Sequence, residues 1–161
     1  MNMKAHTRSA FTLIEVTLSL GVTAFCLLSI LGLLPVGLNS NQATIEQTAG
    51  ANILTTVAAD LRSTPNPAPK GSAQSSLVFG IPIPAIGSTP STTPTKLYIG
   101  EGGQLTTDQR VARYQLNVWM TAPATGSAAA TSARVLVTWP AQALYSSAAG
   151  SMETVIALDR N

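Results

Sequence analysis

Apolar residues are distributed along this chain in three regimes. From Phe11 to Leu34 the sequence FTLIEVTLSLGVTAFCLLSILGLL is apolar almost throughout and carries one charge, Glu15. As a helix such a run would extend about 36 Å, enough to cross a hydrocarbon core of about 30 Å. From Ser40 to Arg62 apolar residues return every three or four positions. Ile45, Ala49, Ile53, Val57 and Leu61 form a stripe that Leu54 and Ala58 widen, while Gln42, Glu46, Gln47, Thr56, Asp60 and Arg62 fall mostly off it. The spacing predicts a helix with one apolar face, stopped by Ser63, Thr64 and Pro65. Pro35, flanked by Gly32 and Gly37, predicts a kink, a bend or a melted turn where the first regime gives way to the second.

The third regime is strand-like. Seven of the ten prolines fall between residues 64 and 95, a composition that resists regular structure. Ser76–Ile81 is expected to be a short strand, confined to an edge by Pro82 and Pro84, and Gly87–Pro94 an exposed loop. Lys96–Ile99 and Gln104–Thr106 form a hairpin across Gly100–Gly103. Neither a lysine nor a helical pattern follows those glycines, which excludes a phosphate-binding loop. Val111–Thr121 alternates. Ala112, Tyr114, Leu116, Val118 and Met120 should face the long helix, and Arg113, Gln115, Asn117, Trp119 and Thr121 the other side. Arg134–Trp139 is the expected partner strand, ended by Pro140, and Glu153–Asp159 the last strand. Pro123–Thr131 and Ala141–Ser151 read as loops. One long helix followed by antiparallel strands defines an α+β class. The chain divides into a leader at 1–10, a membrane-spanning segment at 11–38, an amphipathic continuation at 39–64 and a loop-rich β-sheet domain at 65–161.

Charge sharpens this picture. Only 10% of the residues are charged, well below the roughly 25% of ordinary globular chains. Two of the nine basic side chains, Lys4 and Arg8, precede Phe11, and the remaining seven face seven acidic ones. A body so balanced lacks the basic face that nucleic acid requires. His6 is the sole histidine and lies in the leader, so if the leader is removed, triads, imidazole metal sites and histidine bases have no residue to build on. The sole cysteine, Cys26, sits in the apolar run, reads as a packing residue and allows no intramolecular disulfide. Catalytic residues, metal ligands and a cofactor are therefore not assigned. Glu101, Asp108 and Asp159 are candidate calcium ligands but stand isolated, whereas Ca²⁺ takes six to eight oxygens. Trp119 and Trp139 could stack on a glycan, although a strand tryptophan more commonly fills a core or a subunit contact.

The leader MNMKAHTRSA and the apolar run together have the layout of an export signal. Signal peptidase would need small residues after the run, where Asn41 and Ala43 are a poor match. Lipoprotein processing would need a small residue before Cys26, which instead follows Phe25. Cleavage before the run, between Ala10 and Phe11, leaves the span on the mature chain. Ala10-Phe11-Thr12-Leu13-Ile14-Glu15-Val16 resembles the processing site of type IV prepilins and type II secretion pseudopilins, with Ala10 in place of the usual Gly. The likeness covers about the first 40 residues, counting the leader, the motif and the apolar helix.

That resemblance implies a pilin-like fold, cleavage and N-methylation of Phe11 by a prepilin peptidase, and assembly of the chain into a filament. Its partners would be other pilin or pseudopilin subunits, an inner-membrane assembly platform and membrane lipid. The strand pair ending Val137-Thr138-Trp139, followed by a loop and a last strand, is similar to minor pilins of the PilV kind and to the I subunit of type II secretion. The LGLLPVGLN segment also resembles an uncharacterised prepilin-like cassette family from Verrucomicrobia.

Glu15 decides between an anchor and an assembly device. A carboxylate in hydrocarbon costs about 2.5–3.5 kcal/mol and calls for a partner. The resemblance supplies one, the α-amino group of Phe11 on a neighbouring subunit. Alternatively Glu15 snorkels to the interface and complements the helix N-terminus. Thr12, Thr17, Ser19, Thr23 and Ser29 can return their hydroxyls to helix carbonyls, and Gly21 and Gly32 allow close helix approach. Lys4 and Arg8 should hold the N-terminus in the cytoplasm, so that the body is periplasmic and, in a filament, reaches the cell surface. The leading reading is thus a minor pilin or pseudopilin subunit. The alternative is a signal-anchored periplasmic binding or adhesion module that does not polymerise, and an anchored enzyme is a third class without visible machinery.

Overall fold

The computed structural model of the chain describes residues 11–67 and 69–159. The leader, with Lys4, His6, Arg8 and Ala10, lies outside the described residues.

The apolar run and the amphipathic stretch form a single helix, α1, Leu13–Ser63. Pro35 lies inside it without interrupting it. A proline deletes one hydrogen bond of the ladder, and the turns on either side remain bonded. The chain divides into two compact units at Ala43/Thr44. In the first, every side chain from Phe11 to Ala43 is exposed, and the helix is long and apolar enough to cross a membrane.

In the second unit the helix becomes one-sided. Gly50, Ile53, Leu54, Val57, Asp60 and Leu61 are buried. Ile45, expected on the stripe, is instead exposed, because burial starts only one turn later, at Ala49 and Gly50. Asp60, expected off the stripe, is among the most buried polar residues.

The strands that follow are β1 (Gln74–Ser75), β2 (Pro82–Ile83), β3 (Thr95–Ile99), β4 (Leu105–Thr106), β5 (Tyr114–Thr121), β6 (Thr131–Trp139) and β7 (Gly150–Leu158). β1 and β2 pair as a small antiparallel ribbon. The other five form an antiparallel sheet in the order β4-β3-β5-β6-β7. The α+β class is therefore as the sequence predicts, and so is the β3–β4 hairpin, which closes with Ile99 opposite Leu105.

The expected strand Ser76–Ile81 does not form. Leu77, Val78 and Phe79 make the turn between β1 and β2. The amides of Val78 and Phe79 donate to the Asp60 carboxylate at 2.9 and 3.0 Å, which takes them out of any ladder. Phe79 drops into the core while Leu77 and Val78 stay exposed. Other boundaries move as well. β5 starts at Tyr114 rather than Val111, β6 three residues earlier than Arg134, and β7 spans Gly150–Leu158 rather than Glu153–Asp159. The small polar residues Thr131, Ser132, Gly150 and Ser151 carry little strand signal of their own. They are drawn in by pairing with β5 and β7 on one side and with β6 on the other.

The core lies between the second half of α1 and one sheet face. Leu116, Val118, Val135, Val137 and Ile156 meet Ile53, Val57 and Leu61 there. Ala112, Tyr114, Leu116, Val118 and Met120 are all buried, as their alternation requires. Trp139 is a core residue, edge-on to Tyr114 with ring centroids 6.2 Å apart. Two glycines make room for it. A Cβ on Gly50 would stand 3.2 Å from both the Trp139 ring and the Met152 sulfur, and a Cβ on Gly150 would enter the indole. Across the same layer Arg113, just ahead of β5, forms an ion pair with Glu46 of α1.

Candidate functional site

The residues singled out for processing and assembly sit at the start of α1. Phe11 is exposed and precedes the helix, and Thr12 is its N-cap residue in position. Glu15 lies in the first turn, where a negative charge complements the helix N-terminus. The two side chains bond reciprocally. The Thr12 hydroxyl accepts from the Glu15 amide at 3.3 Å, and the Glu15 carboxylate accepts from the Thr12 amide and hydroxyl, each at 3.2 Å. This is a capping box, in which two otherwise orphaned amides are satisfied. Thr-x-x-Glu ahead of an apolar run is its sequence signature, and it stands in the chain as Thr12-Leu13-Ile14-Glu15. Glu15 thus has a hydrogen-bond partner within its own chain that sequence reasoning overlooked.

Further along, four of the expected hydroxyls turn back onto the helix. Thr17 donates to the Ile14 carbonyl, Ser19 to Glu15, Thr23 to Ser19 and Ser29 to Phe25, at 2.7–3.0 Å. Each satisfies a polar group within its own helix, without a second helix. The apolar side chains of Leu13, Leu18, Phe25 and Leu31 project outward and are exposed, and Cys26 is a free thiol on the same segment. The chemistry available here is packing and one carboxylate.

The acids considered for calcium are not brought together. Asp108 accepts from the Arg110 amide at 2.9 Å, Glu101 lies in the β3–β4 turn and Asp159 follows β7. Among the described residues no three His, Cys, Asp or Glu side chains form a group that could hold a metal ion.

The two tryptophans part company. Trp139 is core, while Trp119 is half-buried on the opposite sheet face. The Arg134 guanidinium lies 5.2 Å from the Trp119 ring centroid and is bonded through two nitrogens to Glu153, at 2.6 and 2.9 Å. Arg134 and Glu153 pull each other apart in titration: Glu153 raises the guanidinium, and Arg134 lowers the carboxyl. That face also carries Asn117, Leu136 and Thr138, which are buried although the alternation turns them away from the core. Residues 142–145 border the same groove as Asn117 and Leu136, a neighbourhood no local sequence signal announced.

Compared with family models, curated proteins and solved structures, the chain matches none.

Proposed function

We propose that this chain is a minor pilin or pseudopilin subunit with a pilin-like fold. A prepilin peptidase removes residues 1–10 and methylates the new N-terminus at Phe11. The subunit waits in the inner membrane with its body outside the cytoplasm, an orientation that Lys4 and Arg8 favour. An assembly platform then draws it into a type IV pilus-like or type II secretion filament among other pilin-like subunits. Phe11–Leu34 exchanges lipid for the filament interior, media of similar polarity, so transfer needs little driving force.

One observation carries this reading. The Ala10–Val16 motif runs into the start of a helix whose first half exposes its apolar side chains, while the second half of that helix is built into a β-sheet domain. An ordinary anchor needs neither the motif nor a helix continued into the body. In the filament, Glu15 would turn its carboxylate to the Phe11 amino group of a neighbour and fix subunit register.

The Thr12–Glu15 capping box favours a second reading, in which Glu15 serves only its own helix and the chain is a signal-anchored binding or adhesion module. Two substitutions separate them. Thr12→Ala removes the hydroxyl of the box but keeps the carboxylate, and Glu15→Ala removes both its cap and its charge. Filament assembly predicts that Thr12→Ala enters sheared filaments and Glu15→Ala stays in the membrane fraction. Normal incorporation of Glu15→Ala would remove the role assigned to it here.

A further inference from the structure

The sheet face opposite the core holds a groove of about 520 Å³, within the range of about 300–1,000 Å³ usual for small-molecule sites. Strand register builds it. Lys96, Asn117 and Leu136 stand side by side across β3, β5 and β6, and Trp119 and Arg134 form the next row. The rim is the segment after β6, pinned from two sides. The Gln142 amide donates to the carbonyls of Gln109, Arg110 and Ala112 at 2.9–3.1 Å, and the Gln109 amide donates to the Ala141 carbonyl at 3.0 Å. Tyr145, on that rim, is 67% exposed at the groove.

The polar groups of the groove are unevenly engaged. Arg134 is committed to Glu153 and to the Trp119 ring, which neutralises its charge and fixes the indole. Gln115 donates to the Asn117 side-chain oxygen at 3.1 Å. That bond uses the Asn117 oxygen and leaves its amide nitrogen able to donate into the groove that Asn117 lines. It leaves the Gln115 oxygen able to accept. Lys96 adds a positive charge, and no carboxylate lines the groove. The backbone groups of β5 and β6 beneath are bonded to neighbouring strands, so recognition falls to side chains rather than to an added peptide strand.

We propose that this groove binds an acidic saccharide, a sugar chain bearing carboxylates. The apolar C–H face of a pyranose packs against the Trp119 and Tyr145 rings. Its hydroxyl edge exchanges hydrogen bonds with the planar amides of Asn117 and Gln115, which offer a donor and an acceptor side by side. A carboxylate on the same or the next sugar meets Lys96. The inference does not depend on filament assembly, since a subunit and a non-polymerising module would expose the same face.

The test uses the full chain in lipid nanodiscs, titrated calorimetrically and by tryptophan fluorescence. The ligands are oligomers of glucuronate, galacturonate and mannuronate, with a malto-oligosaccharide of the same length as neutral control. Saturable binding of at least one acidic oligomer, tighter than the control, is expected. Trp119→Ala should weaken it by about tenfold, the equivalent of about 1.4 kcal/mol. The change Lys96→Gln, at an exposed position of β3, should weaken the acidic ligand and spare the neutral one. Failure of all three acidic oligomers to bind, equal binding of the neutral control, or binding that survives Trp119→Ala would each overturn the proposal.

Discussion

Asp60 sits in the last turn of α1, where the helix macrodipole disfavours a negative charge, and it is buried as well. Its hydrogen bonds decide the balance. Burial raises the carboxyl, but the Ser76 hydroxyl and the amides of Phe79, Val78 and Leu77 outweigh it and hold it below its ordinary 3.8. The folded chain is then harder to protonate than the unfolded one, so on acidification the unfolded state takes up the proton first. The stability this charge contributes is present above about pH 3.8 and is lost as the pH falls through the lowered folded value. Asp60→Asn should cost about 2 kcal/mol near neutral pH, since one amide donor is left facing another donor. The difference from the parent chain in urea unfolding should shrink at about pH 3. A deficit that stayed constant with pH would contradict the account. Nothing local marked Asp60 for this role, because its partners lie 16 to 19 residues away. The Thr12–Glu15 box, by contrast, has a local signature, a threonine and a glutamate three residues apart, which the search for an outside partner of Glu15 passed over.

Among elements, periodicity was a good guide wherever it was strong. The alternation at Val111–Thr121 located β5 and its core face, Arg134–Trp139 located most of β6, and the three- and four-residue stripe located the buried side of α1 from Ile53 onward. It misled at Leu77-Val78-Phe79, where β-prone side chains sit in a turn whose amides a distant carboxylate has claimed. The outer face of β6 was not read: Leu136 and Thr138 are buried there, although the alternation turns them away from the core. The contact between α1 and the sheet makes its own prediction at Gly50. An alanine there gains about 0.8–1.0 kcal/mol of helix propensity, set against contacts of 3.2 Å to Trp139 and Met152. Gly50→Ala should therefore be close to neutral. Gly50→Val pushes a branched side chain into the same contact and should destabilise by about 1–3 kcal/mol, read as a lower urea midpoint with an unchanged slope. A valine variant as stable as the parent would mean that Trp139 does not pack on the helix at this position.

For the molecule as a whole, an apolar helical segment with self-satisfied hydroxyls adjoins a helical segment that is half of a folded core. The proposed assembly role rests on the first, a single carboxylate on an apolar helix, and the proposed saccharide site on an aromatic groove of the outer sheet face. The central claim concerns the first, and it predicts a covalent outcome. Chain purified from membranes and sequenced at its N-terminus by mass spectrometry should lack residues 1–10 and begin at a Phe11 carrying one added methyl group. A mature chain that retains Met1, or a Phe11 without the methyl group, would contradict it.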